Sequence, residues 1–343
     1  MKAIFKRPSW QIYGLFTLTL AAVMLLCICV GSVSIPLNDT LTAMWNTLCG
    51  LEVPAGISKK IILNVRLPRV LNVALVGAAL SLCGAAMQGL LRNPLADGST
   101  LGVSSGASLG AVIALAAGVQ IPGSAYGGTM LLAMTFAFLS LMLILSLAYI
   151  LDHSLSTNSI ILIGVIFSMF ASSLINLILS FANDQVRSIT FWTMGSLAGT
   201  NYGHAGMLAL ALLLCGGLLL HYARELNAFA IGEENARHIG VNVRRVKLMI
   251  LIAVSVLIGI CVSIGGSIGF VGLVMPHMAR MVAGPNHKRL LPSAMFSGAV
   301  FLLLADLVAR TLLRPIELSI GVVTSLVGAA AFFIVFYQTR KAR

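Results

Sequence analysis

Ten apolar stretches, most of them about 20 residues long, limit the folds open to this chain more than any other feature. They cover residues 12–33, 70–91, 100–119, 130–151, 160–181, 206–222, 248–269, 270–284, 291–309 and 316–337. A helix rises about 1.5 Å per residue, so about 20 residues cross the roughly 30 Å hydrocarbon core of a bilayer. Apolar runs this long and unbroken argue against a transmembrane barrel, whose strands alternate over about ten residues. The eighth stretch is the least regular, because it is short and carries Pro276 and His277.

Composition leads to the same class. Of 343 residues, 59% are hydrophobic and 9% charged, whereas a soluble domain carries about 25% charged residues. The expected fold is an all-α polytopic membrane protein of about ten transmembrane helices, forming one domain over residues 1–343. The first stretch exceeds the roughly 7–15 apolar residues of a signal peptide, so it reads as an uncleaved anchor.

The net charge of +12 is unevenly distributed. With the N-terminus in the cytoplasm, 15 of the 22 Lys and Arg fall inside. The positive-inside rule then puts both termini, residues 1–11 and 338–343, in the cytoplasm of a multi-pass cell-membrane protein. The basic excess is a topology signal and does not call for a nucleic-acid partner.

Several chemistries find no support in the residues. No G-x-x-x-x-G-K-[ST] loop is present to cradle ATP. Six cysteines form no C-x-x-C pair and six histidines no H-E-x-x-H, so neither a redox nor a metal centre is indicated. Gly102-Val-Ser-Ser-Gly106 fits the G-x-S-x-G hydrolase elbow in letters only, since it opens an apolar helix without the required strand before it.

Small residues recur at helix-packing intervals: Gly102, Gly106 and Gly110; Gly77, Ser81 and Gly84; and a group at Gly265, Gly266, Gly269 and Gly272. In lipid, such residues let helix backbones approach closely. A faint internal echo relates Gly77–Val112 to Gly259–Val300, and duplicated halves are common in transporters.

Two charged regions stand out. The segment Ala230–Gly240 reads as a short capped helix in the inner loop 223–247, with Gly232 before Glu233 and Glu234, then Ala236, Arg237 and His238, and Gly240 at the stop position. It is either a connector or a lever presented to a cytoplasmic protein. On the outer side, Arg66, Arg69, Arg310 and Arg314 gather where positive charge is normally sparse. Asp306 stands one turn before Arg310, so that pair is either structural or part of a rim-exposed docking site for an acidic partner.

The motifs Arg66-Leu-Pro-Arg69, Gly77-Ala-Ala-Leu-Ser-Leu-Cys-Gly-Ala-Ala-Met-Gln88, Asn93-Pro-Leu-Ala-Asp97 and Leu101-Gly-Val-Ser-Ser-Gly-Ala107 follow one another along the chain. Trp192-Thr-Met-Gly-Ser196 and Gly269-Phe-Val-Gly-Leu-Val-Met-Pro-His-Met-Ala-Arg280 come later. Together they resemble the permease subunits of the iron-siderophore, haem and vitamin B12 ABC importers, the type II importers.

That resemblance implies a type II permease fold and a subunit with no enzymatic activity, energised by a separate ATPase. It implies assembly with a second permease subunit (identical or a paralogue), two ATPase subunits and an extracytoplasmic substrate-binding protein. It implies no cofactor on this chain, with ATP and Mg on the ATPase. Ala230, Gly232, Glu233, Ala236, Arg237 and Gly240 match the coupling helix seated on the ATPase. Asn93, Leu95, Thr157 and Asn158 match cytoplasmic gates, and Arg66, Arg69 and Arg310 match arginines that meet glutamates of the binding protein.

The implied cargo is an iron chelate, with haem or cobalamin as alternatives. An ion-coupled secondary transporter is the rival class, although the span interiors carry few ionisable groups. The chain departs from the family pattern at Gly98-Ser99-Thr100, Glu317-Leu-Ser-Ile-Gly321 and Gly328-Ala-Ala-Ala-Phe332, the last two in the tenth stretch.

Overall fold

The computed structural model describes residues 9–33, 35–49, 60–121, 126–153, 156–182 and 184–341. The first tail therefore lies largely outside the described residues, as does the very end of the second. Helices account for nearly all of the rest: α1 Ser9–Cys29, α2 Leu37–Leu48, α3 Ile62–Leu90, α4 Val103–Ala116, α5 Gly127–Leu151, α6 Thr157–Phe181 and α7 Val186–Thr193. They continue as α8 Tyr202–His221, α9 Ala223–Phe229, α10 Glu233–His238, α11 Val243–Gly265, α12 Val271–Ala283, α13 His287–Thr311 and α14 Ile320–Lys341.

Each of the ten apolar stretches falls on a helix. Among the described residues, six helices are long and apolar enough to cross a membrane: α3, α5, α6, α8, α11 and α13. Shorter apolar helical segments at Tyr13–Cys29, Val103–Ala116, Val271–Ala283 and Ile320–Phe333 account for the other four stretches.

Two stretches expected to span are shorter as helices than as apolar runs. In the stretch 100–119, Gly98–Leu101 forms a 3₁₀ turn and Gly102 takes a left-handed conformation (φ 74°), so α4 starts only at Val103 and is 14 residues long. Likewise α12 has 13 residues, about 20 Å of helix, and begins after Phe270, also left-handed at φ 66°. Pro276 sits inside α12 without ending it. Two loops also hold helices that the hydropathy pattern did not signal, α2 and α7, because short amphipathic turns make no long apolar run.

The bundle is built around α3 and α11. Of their most apolar windows, 78% and 72% are buried, against 22% for α6. α3 packs most extensively on α13 and also lies against α12 and α11, while α4 nests against α5 and α6. The close crossings rest on glycine, as the small-residue intervals indicated. A side chain at Gly84 would overlap the Gly272 carbonyl of α12, and Gly77 and Gly298 leave the same lack of room between α3 and α13. Ordinary tight packing accounts for these glycines.

The six cysteines carry no disulfide; Cys27, Cys83 and Cys261 are buried. Among the described residues, no group of three or more His, Cys, Asp and Glu is placed to hold a metal ion.

Candidate functional site at the two ends of the bundle

At one end of the bundle, α10 projects between α9 and α11. The chain enters it through Gly232, whose φ of 114° is a conformation that suits glycine, and leaves through Gly240 at φ 89°. Gly240 N–H donates to Arg237 O (2.9 Å) and Val241 N–H to Ala236 O (3.0 Å), closing the last turn. The helix itself is shorter than Ala230–Gly240, since Ala230 belongs to the end of α9. Ala236 is fully buried and pins α10 to the bundle, leaving Glu234, Arg237 and His238 exposed.

Glu233 faces the other way. Lys247 of α11 reaches it with Nζ 2.8 Å from Oε1 and 2.9 Å from Oε2. Thr157, the first residue of α6, donates its hydroxyl to Oε1 at 3.2 Å. Lys247 is entirely buried (0% exposed), while Glu233 keeps 28% of its side chain exposed. A buried ammonium without a carboxylate would be costly, so this pair is required by burial as well as by geometry.

Arg92, Thr157, Asn158, Gly232, Glu233, Glu234 and Asn235 surround a cleft of about 420 Å³ at this end. The structure therefore brings the predicted gate residues Thr157 and Asn158 together with the predicted coupling helix. Asn93 and Leu95 lie beside the cleft but do not line it. The Asn93 side chain is turned onto its own loop, where Oδ1 accepts from Leu95 N–H at 2.9 Å, and Leu95 is 52% exposed.

At the opposite end, the predicted docking arginines occupy a different environment from the rim-exposed one expected. Arg66, Arg69 and Arg310 are 4%, 9% and 2% exposed, respectively. Arg69 donates from Nη2 to Asp306 Oδ1 (2.8 Å), from Nε to the same oxygen (3.0 Å) and from Nη1 to Glu317 Oε2 (2.8 Å). Arg310 Nε lies 3.2 Å from Asp306 Oδ2, an ionic contact that misses hydrogen-bond angles. Its Nη2 donates to Cys27 O at 2.7 Å.

Arg66 donates to the carbonyls of Ile28 (2.8 Å), Cys29 (3.0 Å) and Val33. The exposure expectation is thus corrected, for a physical reason. The last carbonyls of α1 have no helical partner, and guanidinium forks from α3 and α13 fill that need. Burial pushes the Glu317 carboxyl up, but the hydrogen bond and charge of Arg69, helped by Ser32 and Arg310, hold it below its ordinary value.

Sequence reasoning passed over Lys247 and Glu317. Lys247 looked like one more positive-inside charge, and Glu317 like the first residue of a family motif that departs only at Ser319. The signal that could have found Lys247 is its place one turn into an apolar helix, where a lysine needs a carboxylate.

Comparison with known proteins shows the family and the fold. The FecCD transport family profile matches residues 19–338. The ABC transporter permease protein YvrB of Bacillus subtilis is 42% identical over 326 residues, 94% of this chain and 92% of that protein. The hemin transport system permease protein HmuU of Yersinia pestis is 36% identical over 330 residues, 94% of this chain and 95% of that one. A solved inward-facing structure of a metal-chelate type ABC transporter superposes with a TM-score of 0.83 at 32% identity, covering 96% of this chain and 99% of that one. Relatives of similar identity are named for molybdate and vitamin B12 import. The chain belongs to the FecCD transport family of ABC importer permeases.

Proposed function

We propose that this chain is the membrane subunit through which a metal chelate, a ferric siderophore, enters the cytoplasm. The observation that carries the reading is α10. It is a short helix anchored by one buried alanine, exposing a charged face, and bonded through Glu233 to the start of α6. An exposed helix tied to the end of a span is what an external motor needs in order to act on the path.

A separate ATPase sits on α10 and supplies the energy, with ATP and Mg bound there and no cofactor on this chain. The assembly holds a second permease subunit and two ATPase subunits, with both termini of this chain cytoplasmic. Thr157, Asn158, Asn93 and Leu95 form the gates at that end. The arginine face receives an extracytoplasmic binding protein. Since Arg69 and Arg310 are already paired, docking acts by exchange: an acidic residue of the binding protein takes the place of Glu317, the partner with 31% of its side chain exposed, on Arg69.

The metal-chelate cargo is supported by the hemin relative and the metal-chelate structural neighbour. Haem is the second reading, favoured by the hemin relative alone, and cobalamin a third, raised by the vitamin B12 relatives. The experiment is uptake by cells expressing the complete importer, offered a radiolabelled ferric siderophore, hemin, cyanocobalamin or molybdate in turn. Saturable, ATP-dependent uptake of the ferric siderophore is expected. Uptake of only one of the others would reassign the cargo, and ATP-independent uptake would contradict the importer reading itself.

A further inference from the structure

Three elements meet at one carboxylate. Glu233 opens α10, Lys247 lies one turn into α11, and Thr157 is the first residue of α6. α10 and α11 are also joined by only four residues, 239–242, and Asn242 caps α11 by accepting from Arg245 N–H at 3.1 Å. The Lys247–Glu233 pair closes this short connection into a ring, so α10 and the base of α11 form one stiff unit.

The third partner differs from the other two. Only 22% of the apolar window of α6 is buried, against 72% for α11. Among the six long apolar helices of the described residues, α6 has the least buried window within this chain. Its attachment to the stiff unit includes the single 3.2 Å hydrogen bond from Thr157. A hydrogen bond to a charged acceptor is stronger than one between neutral groups, and it is directional, so it transmits displacement.

We infer that the Glu233 carboxylate is the junction through which movement of α10 reaches the gate at the start of α6, and that Lys247 is the positioning residue that holds this carboxylate in place. The inference rests on the reading of the chain as an ATPase-driven importer subunit. Movement passes in order from the exposed face of α10 to Glu233, to the Thr157 hydroxyl, and to Asn158 at the mouth of the cleft. Lys247 contacts both carboxylate oxygens and fixes their orientation, so Thr157 always finds Oε1. The Lys247–Glu233 pair and the Thr157–Glu233 hydrogen bond are direct side-chain contacts, and Asn158 follows Thr157 in the chain, so the route is physically contiguous.

The test uses the complete importer purified with its own ATPase, carrying Cys49→Ser and Asn158→Cys. Maleimide labelling of the new cysteine, which replaces an exposed residue, is timed without nucleotide and after trapping with ATP and vanadate. The parent should show different labelling rates in the two states. Thr157→Val keeps the side-chain shape and removes the donor; it should bring the ratio of the two rates to unity while vanadate-sensitive ATP hydrolysis and ATPase co-purification persist. Thr157→Ser, which restores the hydroxyl, should restore the ratio, a rescue that a purely structural role for the site does not predict.

Lys247→Met should give the same collapse as Thr157→Val, and the double variant no more than either alone, because both act on one junction. A Thr157→Val importer that keeps the parental ratio overturns the relay and leaves the importer reading intact. A parent with no nucleotide-dependent change overturns the importer reading, and the relay with it.

Discussion

The two ends of the bundle use charge in opposite ways. At the arginine end, Arg66, Arg69 and Arg310 are nearly inaccessible and every guanidinium is committed to a carboxylate or a carbonyl of another helix. Those bonds tie α1, α3, α13 and the segment before α14 together. At the α10 end, Arg92, Glu233 and Glu234 line an open cleft, and among the described charged residues there Lys247 alone is fully buried. Buried charges that have exhausted their partners fix a structure, because moving one strands another in a poor solvent. Charges beside water can exchange partners at little cost. Apart from the partly exposed Glu317, the one partner open to exchange on docking, the arginine end is therefore built as a fixed frame and the α10 end as a working face.

The largest expected departure from this contrast comes from Asp306→Ala. It leaves Arg310 without a carboxylate and Arg69 with Glu317 alone, and removing one member of a buried ion pair costs about 3–5 kcal/mol. Thermal unfolding in detergent should show a marked loss of stability or no folded protein; a melting temperature equal to the parent's would mean that the arginine end is not a frame.

A smaller effect is expected from Lys247→Met. Its partner Glu233 keeps access to water, so the cost is that of a lost hydrogen bond to a charged group, about 1.5–3 kcal/mol. The same unfolding assay should rank it clearly milder than Asp306→Ala. The reverse order would move the frame to the α10 end.

The smallest effect concerns pH. Because the Glu317 carboxyl is held below its ordinary value of 4.5, the unfolded chain takes up a proton there first as acid is added. Its contribution to stability is complete above pH 4.5 and is lost as pH falls from there through the lower folded value. Glu317→Gln should flatten that part of the stability profile without moving the rest. An unchanged acid limb would show that the Arg69–Glu317 contact is absent in solution.

Much of this was legible in the sequence. The apolar runs mark all ten long or shorter apolar helices, because burial in lipid depends on composition over a window and little on individual contacts. Glycine intervals at Gly77, Gly84 and Gly106 found the crossings for the same kind of reason, since only small residues fit there. The Asp306–Arg310 pair was readable from i, i+4 spacing.

Other features depended on information that spacing does not carry. The true starts of α4 and α12 turn on left-handed residues at Gly102 and Phe270, and nothing about a phenylalanine announces a positive φ. The burial of Arg66 and Arg310 turns on the end of α1, about 30 residues or more away in sequence, arriving with free carbonyls. Glu233, Lys247 and Thr157 were visible singly, but their meeting is a tertiary fact. Separations of 76 residues, from Thr157 to Glu233, leave no periodic trace.

The central claim, a fixed arginine end and a working α10 end, is tested most directly by hydrogen exchange on the complete importer, nucleotide-free and vanadate-trapped. The account predicts altered exchange in peptides covering the start of α6 and α10 through the base of α11. It predicts unchanged exchange at the start of α3 and the end of α13, where Arg66, Arg69, Asp306 and Arg310 lie. Changes of equal size at both ends, or confined to the arginine end, would contradict it.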